Sequence, residues 1–160
     1  MQAEQARKDV IYRSEIDQLR NDTTNLKAKL HSRSHDAIAF TARLSHDVNL
    51  AVGQTVVFDK TQLNLGNAYH DTYGHFSAPI AGLYQFALTL LNNGNDSYFV
   101  LVRNGNEELA GLYSRHDFVP ASAVVVVQLE ASDVVFVKAT NVGANLDEPF
   151  YCLFSGYLIQ

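Results

Sequence analysis

The stretch FDKTQLNLGNAYHDTYGHFSAPIAGLYQF, running from Phe58 to Phe86, decides how this chain folds. Its last third is the plainest part. Tyr84, Phe86, Leu88 and Leu90 share one parity, while Gln85, Ala87 and Thr89 take the other. That alternation marks a strand with one large apolar face. Gly82 stands just ahead of it, where a strand bends or accepts a close backbone neighbour. Phe58, Tyr69 and Phe76 are spaced too irregularly for one helix face, so they are expected on successive strands that converge on one core. Residues 64–74 read as loop-rich, with Asn67, His70 and Asp71 suited to turns or ligand contact.

Strand signals continue on both sides. In residues 37–44, Ile38, Phe40, Ala42 and Leu44 alternate with Ala37, Ala39, Thr41 and Arg43, and Val56-Val57-Phe58 reads as a second short strand, reached through Gly53. Asn104-Gly105 between two apolar runs is the strongest short hairpin signal. Residues 123–129 include four valines in a row, Val124 to Val127, with no alternation. Such a strand is buried on both faces, or lies between a core and a subunit interface. Ser132-Asp133 turns the chain into residues 134–138, residues 141–149 form a long loop, and residues 150–159 close the chain. Many short strands with turns between them, and no helical pattern after residue 36, imply an antiparallel sandwich.

Residues 1–35 differ from the rest: polar, free of Gly and Pro, and apolar at helical spacing. Tyr12, Leu19 and Leu26 fit one core position of a heptad seam and Ile16, Thr23 and Leu30 the other, Thr23 being a polar flaw. An isolated helix this short is marginal in water, so a coiled coil held in register by an oligomeric head is expected, with a frayed helical tail as the other reading. His31-Ser32-Arg33-Ser34-His35 reads as a linker, and a head domain spans residues 36–160.

Composition excludes several classes. The chain has 12 Lys and Arg against 17 Asp and Glu, a formal net charge of −5. With no basic block it is a poor ligand for nucleic acid or an anionic membrane. No apolar run approaches the roughly 20 residues that span a bilayer. The start, MQAEQARKDV, lacks the apolar core of a signal peptide, as in a mature chain or one trimmed and given Met1. Cys152 alternates within an apolar strand and reads as a buried structural thiol, with a reactive or intermolecular cysteine as the other reading.

The aromatic stretch resembles the signature of the complement component 1q globular head domain. That family has an aromatic at the place of Phe58, an amide or acid at Asn64, aromatics at Tyr69 and Phe76, and Gly, Tyr and Phe at Gly82, Tyr84 and Phe86. Its final aromatic is Leu88 here, a tolerable apolar swap. Ala39-Phe40-Thr41-Ala42 is similar to the family's opening, and Phe154-Ser155-Gly156-Tyr157-Leu158 to its terminal strand. Ser132 departs from the family's usual glycine. The resemblance implies an all-β, ten-stranded antiparallel jelly-roll sandwich shared with the tumour necrosis factor family, assembled as a tight homotrimer. Ile and Leu in the seam lean instead toward two strands. No Gly-X-Y repeat precedes the head, so heptads stand in place of a collagen stalk.

Chemistry is sparse. There is no nucleophile elbow, Walker loop or dinucleotide fingerprint, and no enzyme is expected. The six His are scattered; His70 and His75 flank Asp71 in what reads as loop, where solvent-facing imidazoles are the first reading and metal binding the lesser one. The resemblance implies calcium at the trimer apex, with Asp117 at the matching position. The family's accompanying acidic pair would fall at Leu109-Ala110 and is absent in register, with Glu107 and Glu108 displaced, so an exposed loop acid is the competing reading. Tyr113, Arg115 and His116 put an aromatic face, a bidentate donor and a titratable imidazole in one expected loop, the candidate ligand contacts. Sequons begin at Asn21 and Asn95. The function this implies is a secreted, oligomeric, lectin-like protein that binds glycans or microbial surface molecules in innate immunity. The alternative is a trimeric protein-binding module acting as a receptor ligand or a structural or adhesive component.

Overall fold

The computed structural model describes residues 2–35, 37–92, 95–115, 119–146 and 149–159. The chain divides into two compact units, Met1–Ala37 and Ile38–Gln160.

The first unit is one helix, α1 (Gln2–His35). Tyr12, Ile16, Leu19 and Leu26 of the expected seam are exposed along it, and the Leu30 side chain lies outside the described residues. The hydroxyls of Thr23 and Thr24 donate to the carbonyls of Leu19 and Arg20 one turn earlier. That back-bonding satisfies the polar flaw in the seam locally. Among the described residues, no helix is long and apolar enough to cross a membrane.

The second unit is a sandwich. Its strands are β1 (Ala39–Arg43), β2 (Val48–Leu50), β3 (Lys60–Leu65), β4 (Tyr69–His70), β5 (His75–Ser77), β6 (Gly82–Leu90), β7 (Ser97–Arg103), β8 (Glu107–Ser114), β9 (Ala121–Leu129), β10 (Val134–Ala139), β11 (Ala144–Leu146) and β12 (Leu153–Leu158). One five-stranded sheet runs β3-β1-β12-β6-β9 and the other β4-β5-β10-β7-β8, with every pairing antiparallel. These two sheets supply the ten strands of the expected jelly roll. A small ribbon, β11-β2, is added to them. Neither of its strands was legible, because three residues hold too little of a period to stand out.

The aromatic stretch builds the centre, with Tyr69 on β4 and Phe76 on β5 as expected. Residues 56–58, expected as a strand, are instead irregular chain between β2 and β3, so Phe58 reaches the core from a loop. Phe58, Tyr69, Phe76, Tyr84 and Phe86 are all buried, together with Phe40 and Phe154. Phe40 stacks on Tyr69 at 4.7 Å between ring centres and meets Phe154 edge-on at 4.8 Å. Phe76 meets Tyr84 at 5.4 Å and Phe86 at 5.2 Å, both edge-on. Such offset and T-shaped pairs are the favoured arrangements of aromatic quadrupoles. Buried phenols need partners, and each has one: Tyr69 donates to the Phe58 carbonyl and Tyr84 to the Ile80 carbonyl. Burial drives the Tyr69 phenol pKa upward, so it stays a donor.

Asn64 acquires a clear role. Its amide donates to the Tyr69 carbonyl and its oxygen accepts the Tyr69 N–H, closing the β3–β4 connection. Thus the 64–74 stretch is less loop than expected, since it holds the end of β3 and all of β4. Cys152 is buried, and its sulfur accepts the Leu91 N–H at 3.3 Å, as a structural thiol does.

The valine run corrects one expectation. Within the chain β9 is not buried on both faces. Val125 and Val127 turn to the core, whereas Val124 is 65% and Val126 51% exposed. β9 is an edge strand, and its outward residues continue a weakly polar surface across the sheet. Val126 faces Gln85, which faces Tyr157, then Ala39 and Leu65; Val124 faces Ala87, then Ser155, Thr41 and Leu63. Those two rows carry no charged side chain.

Candidate ligand-binding site

The opposite sheet presents a different outer face. On β7 and β8 the chain turns at residues 103–106, where the Asn106 N–H meets the Arg103 carbonyl at 3.2 Å. Asn104 and Gly105 both take positive φ, 52° and 79°, as the expected Asn-Gly hairpin demands. The turn is pinned to the neighbouring one. Asn104 donates to the Asp133 carboxylate and accepts the Val134 N–H, while Arg103 donates to Glu107. Hydrogen bonds from Asn104 and the Glu130 N–H, with Arg103 close by, hold the Asp133 pKa below the usual carboxylate range.

Past this turn the register slips by one residue. Val102 pairs with Glu108, but Leu101 pairs with Ala110, so Leu109 is extra. A bulge of this kind exchanges the faces of everything beyond it. Continued without it, the pairing would set Tyr98 opposite Leu112 and turn Tyr113 inward. With it, Leu112 is buried and Tyr113 comes out opposite Tyr98. The two rings stack at 4.5 Å with planes 21° apart, 47% and 43% exposed.

This pair is held firmly. The Tyr113 hydroxyl donates to the Asp96 carboxylate. That bond, followed by burial, pushes the phenol pKa up to about 12. Tyr98 is fixed through its backbone: its N–H donates to Asn141 Oδ1 and its carbonyl accepts both the N–H and the hydroxyl of Thr140. Asn141 in turn donates to the Asp96 carbonyl. The result is a rigid aromatic shelf rimmed by a carboxylate and an amide.

Of the predicted contacts, Tyr113 therefore lies on a strand rather than in a loop. Arg115 follows directly after β8, on the chain leaving the shelf. His116 and the expected calcium ligand Asp117 lie outside the described residues. Tyr98, Asp96 and Asn141 were missed, because only the bulge brings Tyr98 beside Tyr113. Among the described residues there is no group of three or more His, Cys, Asp or Glu arranged to hold a metal ion.

Elsewhere a groove of about 360 Å³ is lined by His46, Asp47, Asn49, Gln54, Thr55 and Asp59, among others. Ser45 Oγ donates to Asp59 and lies 2.9 Å from His46 Nδ1. Burial works to raise the Asp59 pKa, but hydrogen bonds from Ser45 outweigh it, and the net shift is downward. Nucleophilic catalysis needs the imidazole to take the serine proton. Here the Asp59 carboxylate accepts both the Ser45 hydroxyl and the Ser45 N–H, an arrangement that orders the loop.

The chain is 29% identical over 155 residues to the heavy metal-binding protein HIP of Mytilus edulis, across 91% of this chain and 71% of that protein. It is 30% identical over 128 residues to one of the polypeptides of the human complement C1q subcomponent, across 76% of this chain and 50% of that protein. The chain thus spans about half the length of that human relative. Among solved structures, the globular domain of zebrafish complement 1qA protein superposes with a TM-score of 0.66 at 15% identity, covering 78% of this chain and 98% of the other. Eiger, a TNF from S. frugiperda, superposes with a TM-score of 0.63 at 16% identity, covering 78% and 93%. Both share the jelly-roll fold. The family model of the C1q domain matches residues 39–159, and the chain belongs to the C1q domain family.

Proposed function

We propose that this chain is a secreted, homotrimeric, lectin-like recognition protein that binds carbohydrate on microbial surfaces in innate immunity. The observation that carries this reading is the Tyr98–Tyr113 shelf. Its rings are fixed in place before any ligand arrives, which lowers the ordering cost of binding. The C–H face of a pyranose packs on an aromatic face, and its hydroxyls need acceptors and donors at the rim. The Asp96 carboxylate stands there and accepts up to about four hydrogen bonds, while Asn141 is used to hold the shelf, its Oδ1 on the Tyr98 N–H and its amide on the Asp96 carbonyl. Arg115, which follows directly after β8, and His116 are the further ligand contacts of this reading. The resemblance to complement proteins supports the immune setting.

Assembly supplies strength. The uncharged outer face of the β9 sheet suits a subunit interface, and α1 with its exposed seam suits a short coiled-coil stalk. Three weak sites on one stalk gain avidity of roughly 10²–10⁴ on a repetitive surface. Calcium at Asp117 belongs to the same reading, and a hard cation there needs about six to eight oxygen ligands. The name of the mussel relative supports cation binding more broadly.

The test is a glycan array probed with the purified oligomer, with and without chelator, beside Tyr113→Ala and Tyr98→Ala. Saccharide binding lost in both variants is expected. Absence of any saccharide or whole-microbe binding by the wild type sinks the reading. The protein-binding alternative, a receptor ligand or adhesive component, rests on the uncharged rows through Val124 and Val126. It requires those rows to stay open in the oligomer.

A further inference from the structure

We propose that His70 and His75 form a binding site for one borderline divalent transition-metal ion of the zinc, copper or nickel class. This deepens the cation-binding part of the reading above and is independent of its saccharide part. The sequence set the two histidines five residues apart in a loop; the fold makes them direct cross-strand partners. His70 on β4 pairs with His75 on β5, and because their neighbours Tyr69 and Phe76 pair inward to the core, both imidazoles point outward. Their ring centres are 4.8 Å apart, with planes at 42°.

That spacing matches joint ligation. With a metal–nitrogen bond of about 2.0–2.1 Å, an imidazole centre lies about 3.2 Å from its ion. Two imidazoles at about 90–110° around it then stand about 4.5–5.2 Å apart. Imidazole is the ligand type that suits zinc, copper and nickel, whereas calcium and magnesium prefer oxygen. Asp71 is engaged elsewhere, its Oδ2 accepting from the Thr61 hydroxyl. Among the described residues no group of three or more His, Cys, Asp or Glu is arranged to hold a metal ion, so the two histidines are the protein ligands and water completes the shell.

The pair is also rigid. The turn between the strands closes with the Tyr73 and Gly74 N–H groups on the His70 carbonyl, at 3.2 and 2.8 Å. Gly74 takes φ +73°, and a Cβ there would sit 2.6 Å from the Val56 carbonyl oxygen, so the turn is pressed onto the segment beneath. On its far side His75 faces Phe136 of β10, and the Tyr73 ring stacks on it at 5.9 Å. An imidazole braced on both sides loses little freedom on binding an ion.

The test is calorimetric titration of zinc, copper(II) and nickel into full-length, tag-free chain at pH 7.5, with calcium as the contrasting cation. Beside the wild type stand His70→Asn, His75→Asn, the double variant, and His46→Asn as the control. One transition-metal ion per chain is expected, with affinity falling at least about tenfold in each single variant and unchanged in His46→Asn. Copper(II) electron paramagnetic resonance of the wild type should show two coordinated nitrogens. In a long-range ¹H–¹⁵N spectrum of the wild type, the His70 and His75 imidazoles should shift together with the first equivalent of zinc, which tests the site even if a variant folds poorly. The proposal is overturned if the double variant binds zinc as the wild type does, if other imidazoles shift instead, or if zinc binds no more tightly than calcium.

Discussion

Replacing Gly156 by alanine should unlock the aromatic centre. Gly156 lies on β12 between Phe40 of β1 and Phe86 of β6. A Cβ there would stand 2.5 Å from Phe86 Cδ1, and 2.8 Å from both Phe40 Cε1 and Phe86 Cε1. Carbon atoms in good contact lie about 3.5–4.0 Å apart, so each ring would have to give way by about 1 Å. Neither has room. Phe40 is 1% and Phe86 0% exposed, and both rings already touch Phe76 and Phe154. Overpacking typically costs about 1–3 kcal/mol, and two closed-in rings place Gly156→Ala at the upper end. For a sandwich of this size that lowers the melting temperature by roughly 8–15 °C. Differential scanning calorimetry at one fixed protomer concentration measures it, since association moves the midpoint. Phe86→Leu should destabilise alone but cost less in the Gly156→Ala background, a coupling of about 1 kcal/mol or more. A midpoint within about 2 °C of the wild type, or strict additivity, would refute the reasoning.

Two further outcomes follow from the same geometry. Val126→Glu places a charge in the uncharged row from Leu65 to Val126; light scattering should then find a smaller oligomer while circular dichroism keeps its β-sheet spectrum, and an unchanged mass rejects that face as the interface. The folded pKa of Asp133 is depressed below its unfolded value of 3.8, so its contribution is present above about pH 4 and is lost as pH falls through the folded pKa. Asp133→Asn should lower the urea midpoint at pH 6 and flatten its fall between pH 5 and 3; equal midpoint losses at both ends contradict the assignment.

How much of this was legible depends on the range of the signal. The parity of Tyr84, Phe86, Leu88 and Leu90 is local, and β6 appears where it predicts. The Asn104-Gly105 turn is local too, and its backbone angles follow. Asn64 was marked only by resemblance, and its two bonds to Tyr69 supply the physical cause. Ser132, where the family has glycine, takes φ +73°, a left-handed conformation that costs a non-glycine residue roughly 1–2 kcal/mol. What stayed hidden was set by register. β2 and β11 are three residues each and pair across the length of the head. Tyr98 meets Tyr113 only because Leu109 is extra, and His70 meets His75 only because a tight turn folds one strand onto the other. A single inserted residue reverses which side chains face out, and no composition or spacing records it.

That dependence on register divides the molecule's two outer faces by kind. The β9 sheet offers two uncharged rows, in which Gln85, Tyr157, Ser155 and Thr41 stand among valine, alanine and leucine, a mixture that suits a covered interface. The other sheet carries groups that gain from facing water: the phenol shelf at its β7–β8 side and the imidazole pair at its β4–β5 side. The two pairs stand at opposite edges of one five-stranded sheet, too far apart to share a ligand smaller than the sheet is wide. An assembly that covers the first face would leave both pairs of every copy turned outward. Lateral growth through the open edges, which paired strands otherwise invite, is opposed at β8 by the charged Glu107 and Glu108 and at β4 by a strand only two residues long.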